Sequence, residues 1–251
     1  MALSSDRPSS SCGASSLALT SGGSVNATDL YKSLPDHDEL YVRWYVKYQA
    51  GVPWHHTGVW FGGYNPTSAF PYINAGNQPS GSQLVMFAIE PVRGAGSPNP
   101  QLDFYDYWMN MHTCSSCAGK YWGNSLVERS SFTADDNTWM CIEVHAKLNT
   151  DVASAAGAAL EVWKNDVLVQ AYPETAGTGY WVQDHFCPVG ADVGCNYTPF
   201  APGPLDIQFR DSSSLHLNAF WPQNYITSPN TGTVWYDDMV IATARIGCER
   251  A

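Results

Sequence analysis

Two tyrosines, Tyr105 and Tyr107, stand two apart in the run LDFYDYWMNMH (102–112). Successive side chains of an extended strand alternate, so this spacing sends both phenols to one face. Two phenols on one face can pass protons, or they can pack as rings with their hydroxyls at a rim. His112 ends the same run at the opposite parity and reaches that face only through a bulge. His55 and His56 lead into TGVWFGGY (57–64); adjacent residues face opposite ways, and His56 is the candidate of the two. Glu90 closes QLVMFAIE (83–90), where Val85, Phe87 and Ile89 make the apolar face and leave Glu90 on the other.

Further groups could hold a ligand. Arg43 and Arg210 are the best cations for a carboxylate. Asn218, Trp221 and Tyr225 in LHLNAFWPQNY (215–225) offer an amide and two rings for stacking. Seven cysteines add a second kind of chemistry. Cys114 and Cys117 form a CxxC that reads as a zinc pair, a redox site or a short loop disulfide. Zinc wants a second ligand pair, and only the distant Cys187 and Cys195 could serve. A thioredoxin-like site wants a βαβ setting, which is absent here, so the disulfide is preferred. Cys187 and Cys195 flank a short Pro/Gly loop and read as a staple, while Cys12 is the candidate for the odd cysteine.

The elements that must carry these groups are strands. Hydrophobic residues make up 44% of the 251 residues, enough for a core, and 21 Gly with 16 Pro break the chain too often for long helices. ELYVRWYVKY (39–48) alternates, with Leu40, Val42, Trp44 and Val46 on one face. So does the run from Met140 to Leu148, with Glu143, His145 and Lys147 on its polar face. Lys164-Asn165-Asp166 reads as a hairpin turn, the Ala-rich 152–160 stretch as a loop, and 205–210, 215–221 and 233–242 as strands. About ten strands predict an all-β, two-sheet antiparallel sandwich, a jelly roll, over residues 31–251, preceded by a flexible Ser/Gly-rich segment at 1–30. A net charge of −11 excludes nucleic acid or an anionic membrane as the expected partner. No basic start and apolar stretch mark a secretion signal, yet the cysteines predict a secreted protein whose leader is not in this sequence.

The closing run TVWYDDMVIATARIGC (233–248) resembles the last strand of secreted jelly-roll proteins related to polysaccharide lyases, the glucuronan lyases and a cellulose-induced fungal protein among them. WMCIEVHAKLN (139–149), ALEVWKNDVLV (159–169), ELYVRWYVKY and FYDYWMNM (104–111) are similar to other strands of that superfamily. The resemblance implies a concanavalin A-like sandwich with an open groove on its concave sheet. It implies β-elimination on a uronic-acid polysaccharide, with no organic cofactor and the protein acting as a monomer. Such a reaction needs a group that neutralises the carboxylate, a base for the C5 proton and an acid for the leaving oxygen. On that reading Tyr105, Tyr107, His56, His112 and Arg210 are the catalytic candidates. Arg43, Glu90, Asn218, Trp221 and Tyr225 would line the groove. The resemblance also implies a structural Ca²⁺, for which Asp237 and Asp238 are the candidate ligands, although the family's N-terminal Asp/Glu pair is not evident.

Charge cuts the other way, because a polyanion prefers a basic groove and only 12 residues are Lys or Arg. Two other readings therefore stand beside the lyase. A non-catalytic carbohydrate-binding protein would use the aromatic face alone. A glycoside hydrolase would need two carboxylates across the scissile bond, drawn from Glu90 with Asp106, Glu143 or Glu161.

Overall fold

The structure, a computed structural model, describes residues 1–94, 96–173, 178–195, 202–227 and 230–248, and no helix occurs among them. The strands in chain order are β1 (Ala2–Ser4), β2 (Ser16–Gly22), β3 (Ala27–Asp29), β4 (Lys32–His37), β5 (Glu39–Tyr48), β6 (His56–Tyr64), β7 (Leu84–Arg93) and β8 (Gln101–Phe104). After a long connection come β9 (Met140–Lys147), β10 (Ala159–Lys164), β11 (Val167–Tyr172), β12 (Gly179–Val182), β13 (His185–Pro188), β14 (Leu217–Tyr225) and β15 (Thr231–Ala242).

Seven strands form one antiparallel sheet in the order β1-β2-β15-β5-β9-β10-β11. The other sheet runs β3-β14-β6-β7-β8, with β4 also paired to β14. Period-two alternation decides which residues lie between them. Val42, Trp44, Val46, Ile142 and Val144 from the first sheet, and Val59, Phe61, Val85, Phe87 and Phe104 from the second, are buried in one cluster. Burying such side chains contributes roughly 1.5–3 kcal/mol each, the main driving force for closing the sandwich. The β10–β11 turn uses Asn165 and Asp166, both with positive φ, the backbone that a two-residue hairpin demands.

Three expectations are corrected. Residues 1–30 are not a flexible preface, because β2 pairs with β15 and β3 with β14, one in each sheet. Hydrogen bonds to strand edges order this segment despite its Ser/Gly-rich composition. The stretch 205–210 forms no strand; the N–H groups of Phe209 and Arg210 donate to Asn149 Oδ1 instead. The run 102–112 leaves the sheet early: β8 ends at Phe104, Tyr105 and Tyr107 still bond the backbone of β7, and the chain then turns at Met109 and Asn110.

Cys114–Cys117 and Cys187–Cys195 form the two loop disulfides expected, and Cys12 lies outside the three disulfides present. The third, Cys141–Cys248, joins β9 to the chain's end across 107 residues. Three disulfides are a pattern of oxidising compartments.

Candidate active site

Register places the site. On β6 the residues His56, Gly58, Trp60 and Gly62 share the face opposite Val59 and Phe61, with Trp60 fully buried there. Pairing aligns Trp60 with Trp221 and His56 with Tyr225 on β14, and Trp60 with Ala88 on β7. Ala88 O accepts from Tyr105 N, and the Asp106–Asn124 bridge sets Ser125 across from Tyr105. Ser125 in turn pairs with His185, the first residue of β13. The β12–β13 hairpin, a two-stranded sheet of its own, is thus bridged to the edge of the second sheet, and one row runs Trp221, Trp60, Ala88, Tyr105, Ser125, His185.

An open cleft of about 590 Å³ lies along the His56 side of this row, lined among others by His55, His56, Glu90, Tyr105, Asp184 and His185. That volume falls in the range of ligand-binding clefts, about 300–1,000 Å³. His56 Nδ1 is 2.8 Å from Glu90 Oε1, and Glu90 is buried. A carboxylate accepts, so Nδ1 carries the proton and Nε2 is left as the basic nitrogen. Tyr105 stands 4.9 Å from His56, ring centre to ring centre. Gly123 is required behind it, since a Cβ there would sit 2.4 Å from the phenol ring.

The charges of the cleft shape its titration. Burial pulls His56 down, but the Glu90 carboxylate, by charge and hydrogen bond, outweighs it and raises the imidazole above 6.5. Burial raises Glu90, against the opposing pull of His56. His55 moves down through burial and the nearby His56 charge. Burial, with Glu90 adding to it, raises the Tyr105 phenol above 10, so it is a proton donor across the neutral range.

The structure brings together four of the sequence candidates, His56, Glu90, Tyr105 and, with its ring centre 6.0 Å from that of His56, Tyr225. Others are placed elsewhere. Tyr107 is fully buried behind Tyr105 and packed on Trp60; Trp221 also packs on Trp60. His112 stacks on Trp181 at 3.9 Å, with no bulge turning it toward His56. Arg210 is buried and donates to Asp38, Asn149 O and Leu215 O, so its charge secures loops. Arg43 belongs to β5 in the other sheet, beside Tyr45. Asn218 faces the opposite way from Trp221 and bonds both backbone groups of Tyr64. The hydrolase pairs fail similarly: Glu90 Oε2 and all of Asp106 are buried, and Glu143 and Glu161 lie in the other sheet.

A calcium ion at Asp237 and Asp238 would need six to eight oxygens, drawn also from backbone carbonyls and water. Among the described residues no group of three ligand-type side chains includes either one. Asp237 Oδ1 accepts from Asp238 N at an irregularity of β15.

Sequence reasoning missed His185, Asp184 and Glu128. For Asp184 and His185 the only signal was the length of the 171–204 excursion, and nothing in its composition pointed to a cleft wall; Glu128 lies in the connection between β8 and β9.

No protein family and no curated protein sequence matches the chain. Solved structures do share its fold. A double mutant of alginate lyase Aly36B in complex with alginate trisaccharide matches at TM-score 0.57 and 13% identity, over 93% of this chain and 83% of that one. Alginate lyase vAL-1 from Chlorella virus gives 0.54 and 13%, over 92% and 85%. The marine PL-14 alginate lyase from Aplysia kurodai gives 0.53 and 15%, over 96% and 86%. The chain is an all-β sandwich with the jelly-roll fold of these lyases.

Proposed function

We propose that the protein is a secreted polysaccharide lyase that cleaves a uronate-containing polymer by β-elimination in the His56–Tyr105 cleft. The observation that carries this reading is a base and an acid side by side, His56 tethered through Nδ1 to the buried Glu90 and the Tyr105 phenol kept protonated by burial. His56 Nε2 takes the C5 proton, leaving the electron pair to be stabilised by the adjacent carboxylate. The pair then forms the C4–C5 double bond as the C4–O bond breaks. Tyr105 gives its proton to the leaving oxygen, and the imidazolium of His56 returns a proton to the phenolate. One polymer becomes an unsaturated end and a new reducing end, with atoms and charge balanced. The lyases named above, which share the fold, support the reading.

The test is the ultraviolet absorbance of new unsaturated uronate ends on a panel that includes alginate and glucuronan. A rise supports elimination; reducing ends without absorbance would make the protein a hydrolase; neither would make it a binding protein.

The pH profile has a definite sign. His56 acts as a base only when Nε2 is unprotonated, so the rate falls as pH drops through its raised pKa. Glu90→Gln removes the charge that raises it, so the acid limb moves to lower pH, by about one unit, while the plateau falls. An unmoved limb in kcat/KM would assign it to another group.

A further inference from the structure

The cleft has a second wall, and its chemistry repeats that of the first. His185 Nδ1 lies 2.8 Å from Glu128 Oε1, just as His56 Nδ1 lies 2.8 Å from Glu90 Oε1. Glu128 is fully buried and also accepts from Arg93 Nη2 at 2.7 Å. Its backbone has φ 51°, a conformation that non-glycine residues avoid, and its N–H is tied to Asp103 Oδ2. The chain therefore holds a strained, buried carboxylate under a histidine whose side chain is one-third exposed in the cleft. Nδ1 sits between the Glu128 carboxylate and the Arg93 guanidinium, and Nε2 points toward Asp184, whose Oδ1 is 3.4 Å away.

His185 is not placed to join the bond-breaking step. Tyr105, Ser125 and His185 lie in a row across three neighbouring bridged segments, two spacings of about 4.8 Å. His185 is thus on the order of 10 Å from the Tyr105 position and meets a part of the substrate beyond the reacting bond. Besides His55 and His56, it is the histidine in the cleft lining. Arg93 stands behind it, 3.0 Å from its Nδ1.

Resting on the lyase reading above, we propose that His185, backed by Glu128 and Arg93, is a specificity subsite that binds the carboxylate of a neighbouring uronate unit, displacing Asp184 from Nε2. This gives the acidic chain a local anion-binding point at the place where the polymer crosses the β12–β13 hairpin. Asp184 competes with the substrate for the same nitrogen, so two substitutions act in opposite directions.

The experiment compares the full chain with its His185→Gln and Asp184→Asn variants on alginate and glucuronan oligosaccharides and on their carboxyl-reduced counterparts. Expected for His185→Gln is a roughly tenfold rise in KM and in the dissociation constant for carboxylated ligands, with kcat and the affinity for reduced ligands unchanged. Expected for Asp184→Asn is tighter binding of the carboxylated ligands. Equal loss on both ligand types, or a fall in kcat alone, overturns the subsite and leaves His185 as a strut for the hairpin. If no polymer is cleaved, the lyase reading fails separately, and calorimetric affinities still decide: selective loss in His185→Gln keeps the carboxylate site. Wild-type chain that binds no carboxylated ligand overturns it.

Discussion

Replacing His56 by glutamine is expected to lower kcat for elimination roughly a thousandfold, within the range of about 10²–10⁴ for a positioned acid–base group. Glutamine is the informative substitution because of Glu90. That carboxylate is buried, its Oε2 has no hydrogen-bond partner among the described residues, and Oε1 is satisfied by His56. Alanine would leave it buried with nothing to donate, mixing a stability loss with a catalytic one. A glutamine side-chain amide can still donate to Oε1 while offering no base. Tyr105→Phe should lose activity on a similar scale, and the double variant little more, because the two groups act as one unit. Initial rates on the best substrate of the uronate panel, with melting temperatures as control, measure this. Near-normal kcat in His56→Gln would falsify the assignment of the base.

The largest stability effect is expected at Asp103, beneath the second wall of the cleft. This fully buried carboxylate accepts from four backbone N–H groups: Phe104, Leu126 and Val127 on Oδ1 and Glu128 on Oδ2. It anchors the segment that carries Ser125 and Glu128 to the end of β8. Asp103→Ala leaves buried donors without a partner, each costing about 1–3 kcal/mol, so a loss of roughly 4 kcal/mol or more is expected. Asp103→Asn keeps an oxygen for the Oδ1 donors and turns an amide toward Glu128 N, so it should cost less. Denaturant unfolding followed by tryptophan fluorescence measures both. An alanine variant within 1 kcal/mol of wild type, an order set by ordinary surface substitutions, would show that the cradle is dispensable.

Asp103 also gives stability a pH dependence opposed to that of activity. Burial and the neighbouring Glu128 raise its carboxyl from 3.8 to about 7, against the backbone donors. The folded state therefore binds a proton that the unfolded chain releases. Its stabilising contribution is complete below 3.8 and is lost as pH rises through about 7. Glu90 and Asp106, also raised by burial, act in the same direction. Asp38 and Asp6, lowered chiefly by hydrogen bonds from Arg210 and Lys47, act with the opposite sign but only below their ordinary range. The melting temperature should fall between about pH 4 and 7 and level off above that while the elimination rate rises, and the fall should shrink in Asp103→Asn.

Alternation along 39–48 and 140–148, the Asn165-Asp166 turn and the scarcity of helix-forming runs determined the all-β sandwich by themselves, because a strand's period is a local property of the chain. The same parity turned Glu90 away from its strand's apolar face and paired Tyr105 with Tyr107, and Tyr105 and Glu90 both line the cleft once the register of β7 joins them. Tyr107 shares that face but lies under covering chain, and parity reports a face without reporting what lies over it. Arg43 and Arg210 looked available because exposure and partners depend on residues far along the chain; Asp38, 172 positions from Arg210, holds its guanidinium. Residues 1–30 gained order from strand edges that no local signal describes. Only the tertiary structure brought His185 and Glu128, 57 positions apart, to the cleft that His56 opens. A sheet extended by a late hairpin forms through long-range pairing, and the chemistry it assembles belongs to no single stretch of sequence.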